Sequence, residues 1–182
     1  MFKQYQIQTT LIFCVCLTFL VIWTQKRIIP KMDMLLSSRK IHFIETFGRD
    51  NFTFKQLCVI ESAAKHHPYH LIQVFIASTQ LQNDQLFKLI QEHYGNINGR
   101  YLNVEEFIEN SKLRNLWKEI QSSKYFFANN MNNIICLLIL KKLGGTYLDL
   151  DTLVLQALPS SSNFIGLQDE ETISNSSVYL ET

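Results

Sequence analysis

Two carboxylates stand one residue apart in Tyr147-Leu148-Asp149-Leu150-Asp151, where an apolar stretch gives way to polar chain. Along a strand, residues i and i+2 project to the same side, so Asp149 and Asp151 are expected to converge on one ligand. Paired carboxylates repel each other at neutral pH. A shared divalent cation removes that repulsion, and oxygen ligands suit Mg²⁺ or Mn²⁺. The chemistry predicted is a metal site that receives a diphosphate.

Other candidate groups are weaker. Haloacid-dehalogenase-like phosphotransferases also place two aspartates two residues apart, one as nucleophile and one as general acid, but near the start of their domain. Here Thr152 follows Asp151 and a long α/β stretch comes first. The further oxygen ligands and the glycine of an EF-hand are missing. His66 and His70 have the i, i+4 spacing of a zinc pair, but Pro68 breaks any single helix between them, so His66 and His67 are read as helix-end residues. Glu45 is read either as reaching a nucleotide pocket or as holding a turn. Asn129, Asn130, Asn132 and Asn133 are read as capping and loop residues, with Asn133 also a candidate to touch a ligand.

The elements that must position the acidic pair alternate between strand and helix. Ile41 to Phe47 reads as a first strand and Gly48 to Asn51 as its turn. Thr53 and Gln56 form a capping-box pattern for a helix that Pro68 stops near His67. Leu71 to Ala77 is apolar enough for a buried parallel strand, and Asn83 to Tyr94 is a helix closed by Gly95. An extended piece, Ile97 to Val104, precedes short amphipathic helices around Phe107 and Trp117. Asn129 or Asn130 is expected to cap a helix that is apolar nearly all round, from Ile134 to Leu140, and that Gly144-Gly145 ends. The chain then enters a strand, Thr146 to Leu150. This order predicts a doubly wound α/β sheet with its ligand at the carboxyl ends of the strands, where Asp149 and Asp151 fall.

The whole chain of 182 residues is 47% hydrophobic and 18% charged, the makeup of one globular domain with an apolar extra. A net charge of +1 gives no footprint for nucleic acid. Leu11 to Trp23 is apolar except for Thr18, and with Ile7 to Thr10 it nears the roughly 20 residues that span a bilayer. No small-residue cleavage site follows at Trp23-Thr24-Gln25, so a retained anchor is expected over a signal peptide. The resulting division is 1–6 tail, 7–25 transmembrane signal anchor, 26–40 stem and 41–182 globular part. Lys26, Arg27 and Lys31 outweigh Lys3, which by positive-inside counting puts the globular part in the cytoplasm. The sequons Asn51-Phe52-Thr53 and Asn175-Ser176-Ser177 point to the secretory lumen instead. Cys58 and Cys136 are expected as buried free thiols, or as a pair only if the fold brings them together.

Ile41-His42-Phe43-Ile44-Glu45-Thr46, Cys58 to Ala64 followed by His67-Pro68, and Lys142 through Asp151 together resemble the alpha-1,4-glycosyltransferase family of DXD sugar-binding glycosyltransferases. The resemblance spans Ile41 to about Glu181. It implies a GT-A type, Rossmann-like nucleotide-sugar sheet, a type II Golgi membrane protein with a lumenal catalytic part, a UDP-sugar donor and Mn²⁺ or Mg²⁺. It also implies transfer with retention to a galactose-ended glycan or glycolipid acceptor. The metal falls to Asp151 and Asp149, with Tyr147 and Asn133 beside the donor. The family places Ser, Asp and Arg where this chain has Asn132, Asn133 and Cys136; asparagine gives up the charge and cysteine cannot replace a guanidinium. Family members continue well past this region, so the sheet is expected to be incomplete, with Val178-Tyr179-Leu180 opening a strand whose partners are missing. A catalytically impaired, membrane-anchored relative without turnover is the alternative.

Overall fold

A computed structural model describes residues 39–79, 81, 84–109, 111–122, 127–159, 163–167, 169 and 171–180. The expected anchor, and the stem as far as residue 38, lie outside the described residues. No helix among the described residues is long and apolar enough to cross a membrane.

Strand β1 (Lys40–Glu45) and strand β2 (Leu71–Ile76) pair in parallel, and β2 pairs in parallel with β3 (Ile97–Tyr101). Helix α1 (Phe54–His66) links the first two, and α2 (Gln85–Tyr94) the next two. The capping box forms as predicted: the Thr53 hydroxyl accepts from the Gln56 N–H, and the Gln56 side chain accepts from the Thr53 N–H. Asp84 caps α2, and Gly95 closes it at φ +68° as expected. The same Asp84 carboxylate accepts from the Phe52 N–H at 2.8 Å, tying the start of α1 to the start of α2.

Short helices α3 (Val104–Glu109) and α4 (Arg114–Ser122) lead to α5 (Phe127–Leu143). The backbone of Asn129 and Asn130 is already helical, so neither caps α5, which begins earlier than the asparagine run suggested. Strand β4 (Gly145–Leu148) then joins β1 on the side away from β2, again in parallel. It ends at Leu148, two residues short of the expected strand.

The sheet is mixed rather than wholly parallel. Its order is β3-β2-β1-β4-β6-β5, with β5 (Phe164–Leu167) and β6 (Ile173–Leu180) antiparallel. Val178-Tyr179-Leu180 therefore does not lack partners: β6 lies between β4 and β5. Non-local pairing of this kind leaves no periodic mark in a sequence.

Each face of the sheet has its own core. Ile41, Phe43, Val74 and Leu148 pack with α1 and α2, while Ile44, Phe75, Tyr147 and Val178 pack with α5 and with Ile108 and Trp117. Each large apolar side chain buried this way contributes roughly 1.5–3 kcal/mol. Cys58 is a half-buried and Cys136 a buried free thiol.

The join between α5 and β4 is the tightest point. Gly144 and Gly145 take φ +60° and +93°, and a Cβ on Gly145 would stand 2.6 Å from the Lys40 carbonyl oxygen. His42, fully buried in β1, donates from Nε2 to the Gly144 carbonyl at 2.8 Å, while its Nδ1 has no partner. Gly145→Ala should therefore destabilise the fold by more than about 2 kcal/mol, since it adds both a backbone clash and a strained φ, as read by chemical denaturation.

Burial, reinforced by the Lys40 charge and opposed by the bond to Gly144, holds His42 down to about 4 from its ordinary 6.5. Between those values the unfolded chain binds a proton that the folded chain refuses. The stabilisation is thus complete above pH 6.5 and is lost as pH falls towards 4, by about 3 kcal/mol in total. Denaturation midpoints at pH 7 and 4.5 should show that decline, and His42→Gln should make the dependence shallower. An unchanged slope in His42→Gln would refute the assignment.

Candidate functional site

β1 is followed by a helix on one face of the sheet, and β4 is entered from a helix on the other. The carboxyl ends of these adjacent strands form the point where chain order reverses, the usual ligand crevice of an open α/β sheet. Asp149 and Asp151 lie at the β4 side of that point.

They do not belong to the strand, so pleat alternation is not what brings them together. The Asp149 N–H donates to the Ser176 carbonyl at 2.9 Å, and the Thr152 N–H donates back to the Asp149 carbonyl at 3.0 Å, closing a turn over Asp149–Thr152. This turn leaves Asp149 half-buried and Asp151 exposed. Burial raises the Asp149 pKa, the Tyr147 hydrogen bond opposes that rise, and the Asp151 charge adds to it. Among the described residues neither carboxylate is in an ion pair.

Tyr147, 3% exposed, donates its hydroxyl to Asp149 Oδ1 at 2.5 Å. Burial first, then the Asp149 charge, pushes the phenol pKa far up, so the group is a fixed donor that orients the carboxylate. Tyr147, expected beside the donor, has its hydroxyl on the Asp149 carboxylate. Cys136 is buried nearby on α5, its thiol pushed up to about 12 by burial and by Asp149. It is a neutral group.

The opposite rim comes from β1 and α5. Thr46 donates its hydroxyl to Asn132 Oδ1, joining the residue after β1 to the helix face that also carries Cys136. Asn133, the asparagine expected at the ligand, is exposed on α5. Asn132, one position earlier, is the side chain tied to the β1 rim. The i, i+4 spacing of Asn132 and Cys136 was the available clue. Glu45 resolves towards structure: 1% exposed, it accepts from the Phe47 N–H at 2.8 Å and from Gln56 Nε2 at 2.7 Å, fixing the turn and α1.

Among the described residues His66 and His70 gain no third metal ligand. His67 donates from Nδ1 to the Ala63 carbonyl at 3.1 Å and accepts at Nε2 from the Leu158 N–H at 2.9 Å, which occupies both nitrogens. Among the described residues no three His, Cys, Asp or Glu side chains gather as a metal cage. An octahedral Mg²⁺ or Mn²⁺ does not require one, since such ions are commonly held by one or two carboxylates, with phosphates and water completing the shell. The donor set of Asp149 and Asp151 fits that pattern.

Asn51 of the first sequon is exposed in the turn before α1, but Thr53 is engaged in the cap. The Asn175 backbone runs within β6.

Comparison with known proteins converges on this segment. The family described as "Glycosyltransferase sugar-binding region containing DXD motif" matches residues 53–173. Lactosylceramide 4-alpha-galactosyltransferase of Rattus norvegicus is 28% identical over 148 residues, and that of Homo sapiens 25% over 146, in each case across 78% of this chain and 41% of the relative. The chain thus spans about two fifths of the length of these relatives. Among solved structures, PaToxG glycosyltransferase superposes with a TM-score of 0.59 at 17% identity, covering 79% of this chain and 55% of that one, a likeness of fold that agrees with the expected GT-A-like sheet. A family match across most of the globular region, centred on a sheet whose reversal point carries Asp149-Leu150-Asp151, means that the chain belongs to the DXD sugar-binding glycosyltransferases.

Proposed function

We propose that this chain carries the donor-binding part of a metal-dependent hexosyl- or N-acetylhexosaminyltransferase that uses a UDP-sugar. The acceptor is a galactose-ended glycan or glycolipid, and transfer proceeds with retention. The observation that carries the reading is the Asp149–Asp151 turn beyond β4, where the Asp151 charge acts on Asp149 and, among the described residues, neither carboxylate is in an ion pair. Asp151 and Asp149 would hold Mn²⁺ or Mg²⁺, which when bound supplies positive charge to the departing diphosphate. The residues of the chain do the positioning. Tyr147 fixes the Asp149 rotamer, the Asp149–Thr152 turn presents Asp151 to solvent, and the Thr46–Asn132 contact sets the distance between β1 and α5. The protein is further proposed to be a single-pass type II Golgi protein anchored through the apolar run at residues 7–25, with the sheet in the lumen, where the sequons Asn51-Phe52-Thr53 and Asn175-Ser176-Ser177 would also place it.

Cys136 supports a second reading. A buried neutral thiol on the helix beside the acids offers no charge to a diphosphate, which favours a membrane-anchored relative impaired in turnover. Donor binding separates the two. In the transferase, UDP with Mn²⁺ should raise the unfolding free energy of the full chain by about 2.7 kcal/mol at a hundred times its Kd, and UDP without metal should do far less. Absence of any metal-dependent stabilisation would exclude the transferase.

Asp151→Asn should abolish the metal-dependent part of UDP binding and leave thermal stability without ligand close to the parent's, since Asp151 is exposed and bonded to nothing described. Tyr147→Phe should weaken Mn²⁺ binding roughly tenfold by freeing the Asp149 carboxylate, a change on the order of 1.4 kcal/mol seen in metal titration.

A further inference from the structure

The stretch Cys58 to Ala64 with His67-Pro68 carries part of the family resemblance, yet it supplies no side chain to the acid pair. In the fold it meets the chain that leaves the acids. Past the Asp149–Thr152 turn, residues 152–159 form neither helix nor strand and run beside α1 as a strap. Two side chains of this stretch hold it. The Ser62 hydroxyl accepts from the Val154 N–H at 3.1 Å, and His67 Nε2 accepts from the Leu158 N–H at 2.9 Å.

Both acceptors are prepared by the helix itself. Ser62 donates its own proton to the Val59 carbonyl at 2.7 Å, which turns the oxygen lone pairs towards the strap. His67 donates from Nδ1 to the Ala63 carbonyl at 3.1 Å, and a neutral ring protonated there has Nε2 free to accept. Val154 is 5% exposed in the core beneath α1, and Leu158 packs against the same core, whereas Leu153 and Leu155 are exposed. Asp151 therefore lies between two fixed points. On one side the Asp149 N–H is tied to the Ser176 carbonyl, and on the other Val154 is tied to Ser62 three residues on. The exposed Asp151 side chain takes its position from this backbone.

We infer that Ser62 and His67 are positioning residues for the metal site: by holding the strap at Val154 and Leu158 they fix the backbone that presents Asp151. The inference rests on the reading of Asp149 and Asp151 as metal ligands. Neither Ser62 nor His67 touches the acids, and each acts through the strap. Loss of either acceptor leaves a strap N–H without its partner, loosens residues 152–159 from α1 and spreads Asp151 over positions that do not share an ion with Asp149.

The test uses the full chain in nonionic detergent, with Mn²⁺ binding followed by loss of the free-ion electron paramagnetic resonance signal and strap opening followed by amide hydrogen exchange over residues 152–159. Ser62→Ala should speed exchange of the strap and weaken Mn²⁺ binding on the order of tenfold, the effect met when groups that orient metal ligands are removed. Ser62→Thr keeps the hydroxyl and should restore both. His67→Ala should act as Ser62→Ala does, and His67→Gln, which keeps an acceptor for the Leu158 N–H, should bind Mn²⁺ more nearly as the parent. Asp84→Ala, which removes the cap of α2, should lower the melting temperature and leave Mn²⁺ affinity unchanged, separating positioning from stability. If His67→Ala does not fold, the Ser62 pair decides. A parent that binds no Mn²⁺ would remove the metal reading and this inference with it. A parent that binds while Ser62→Ala binds equally well, unchanged strap exchange in Ser62→Ala, or an equal loss of affinity in Asp84→Ala would overturn the inference and leave the metal reading standing.

Discussion

The seating of β4 against β1 is the constraint on which the rest depends. Gly145 approaches the Lys40 carbonyl more closely than any residue with a Cβ could, and the buried His42 ring clasps the Gly144 carbonyl. These contacts fix the register Ile41↔Thr146 and His42↔Tyr147. With β4 placed there, the chain order reverses between β1 and β4, and the residues that follow β4 are delivered to the reversal point. A fold reaching the same place without the glycine pair would have to separate the two strands.

From that join the acids inherit their geometry. Four residues of strand bring the chain to Leu148, a turn tied to Ser176 holds Asp149, and the Tyr147 phenol orients its carboxylate. The strand therefore supplies direction, and the turn leaves Asp149 half-buried and Asp151 exposed. The arrangement stores repulsion between Asp149 and Asp151, and a bound divalent cation would release it. On the other rim, Thr46 is tied to Asn132 by a neutral hydrogen bond, and the buried, neutral Cys136 adds no charge.

Local signals were legible and distant ones were not. Thr53 and Gln56 announce α1 because a capping box is complete within four residues, and Gly144-Gly145 announces the end of α5 because only glycine takes those φ values cheaply. Leu150 reads as strand because it is apolar, yet the Asp149–Thr152 bond takes it into a turn. The onset of α5 was misjudged because asparagines favour caps without requiring them. Val178-Tyr179-Leu180 reads as strand and lies in β6, but its antiparallel partners β4 and β5 are set by non-local pairing that the sequence does not display. At the site, the acidic pair was visible from spacing alone. The Thr46–Asn132 contact joins residues 86 positions apart, and nothing local foretells it.

The central claim is that Asp149 and Asp151 share one cation at the β1–β4 reversal point. Crystals of the protein grown with UDP and Mn²⁺, measured at the manganese absorption edge, test it directly. The account predicts one anomalous peak within coordination distance of the Asp151 carboxylate, with Asp149 and diphosphate oxygens around it. A peak held by other residues, or ordered UDP with no metal beside either aspartate, would contradict it.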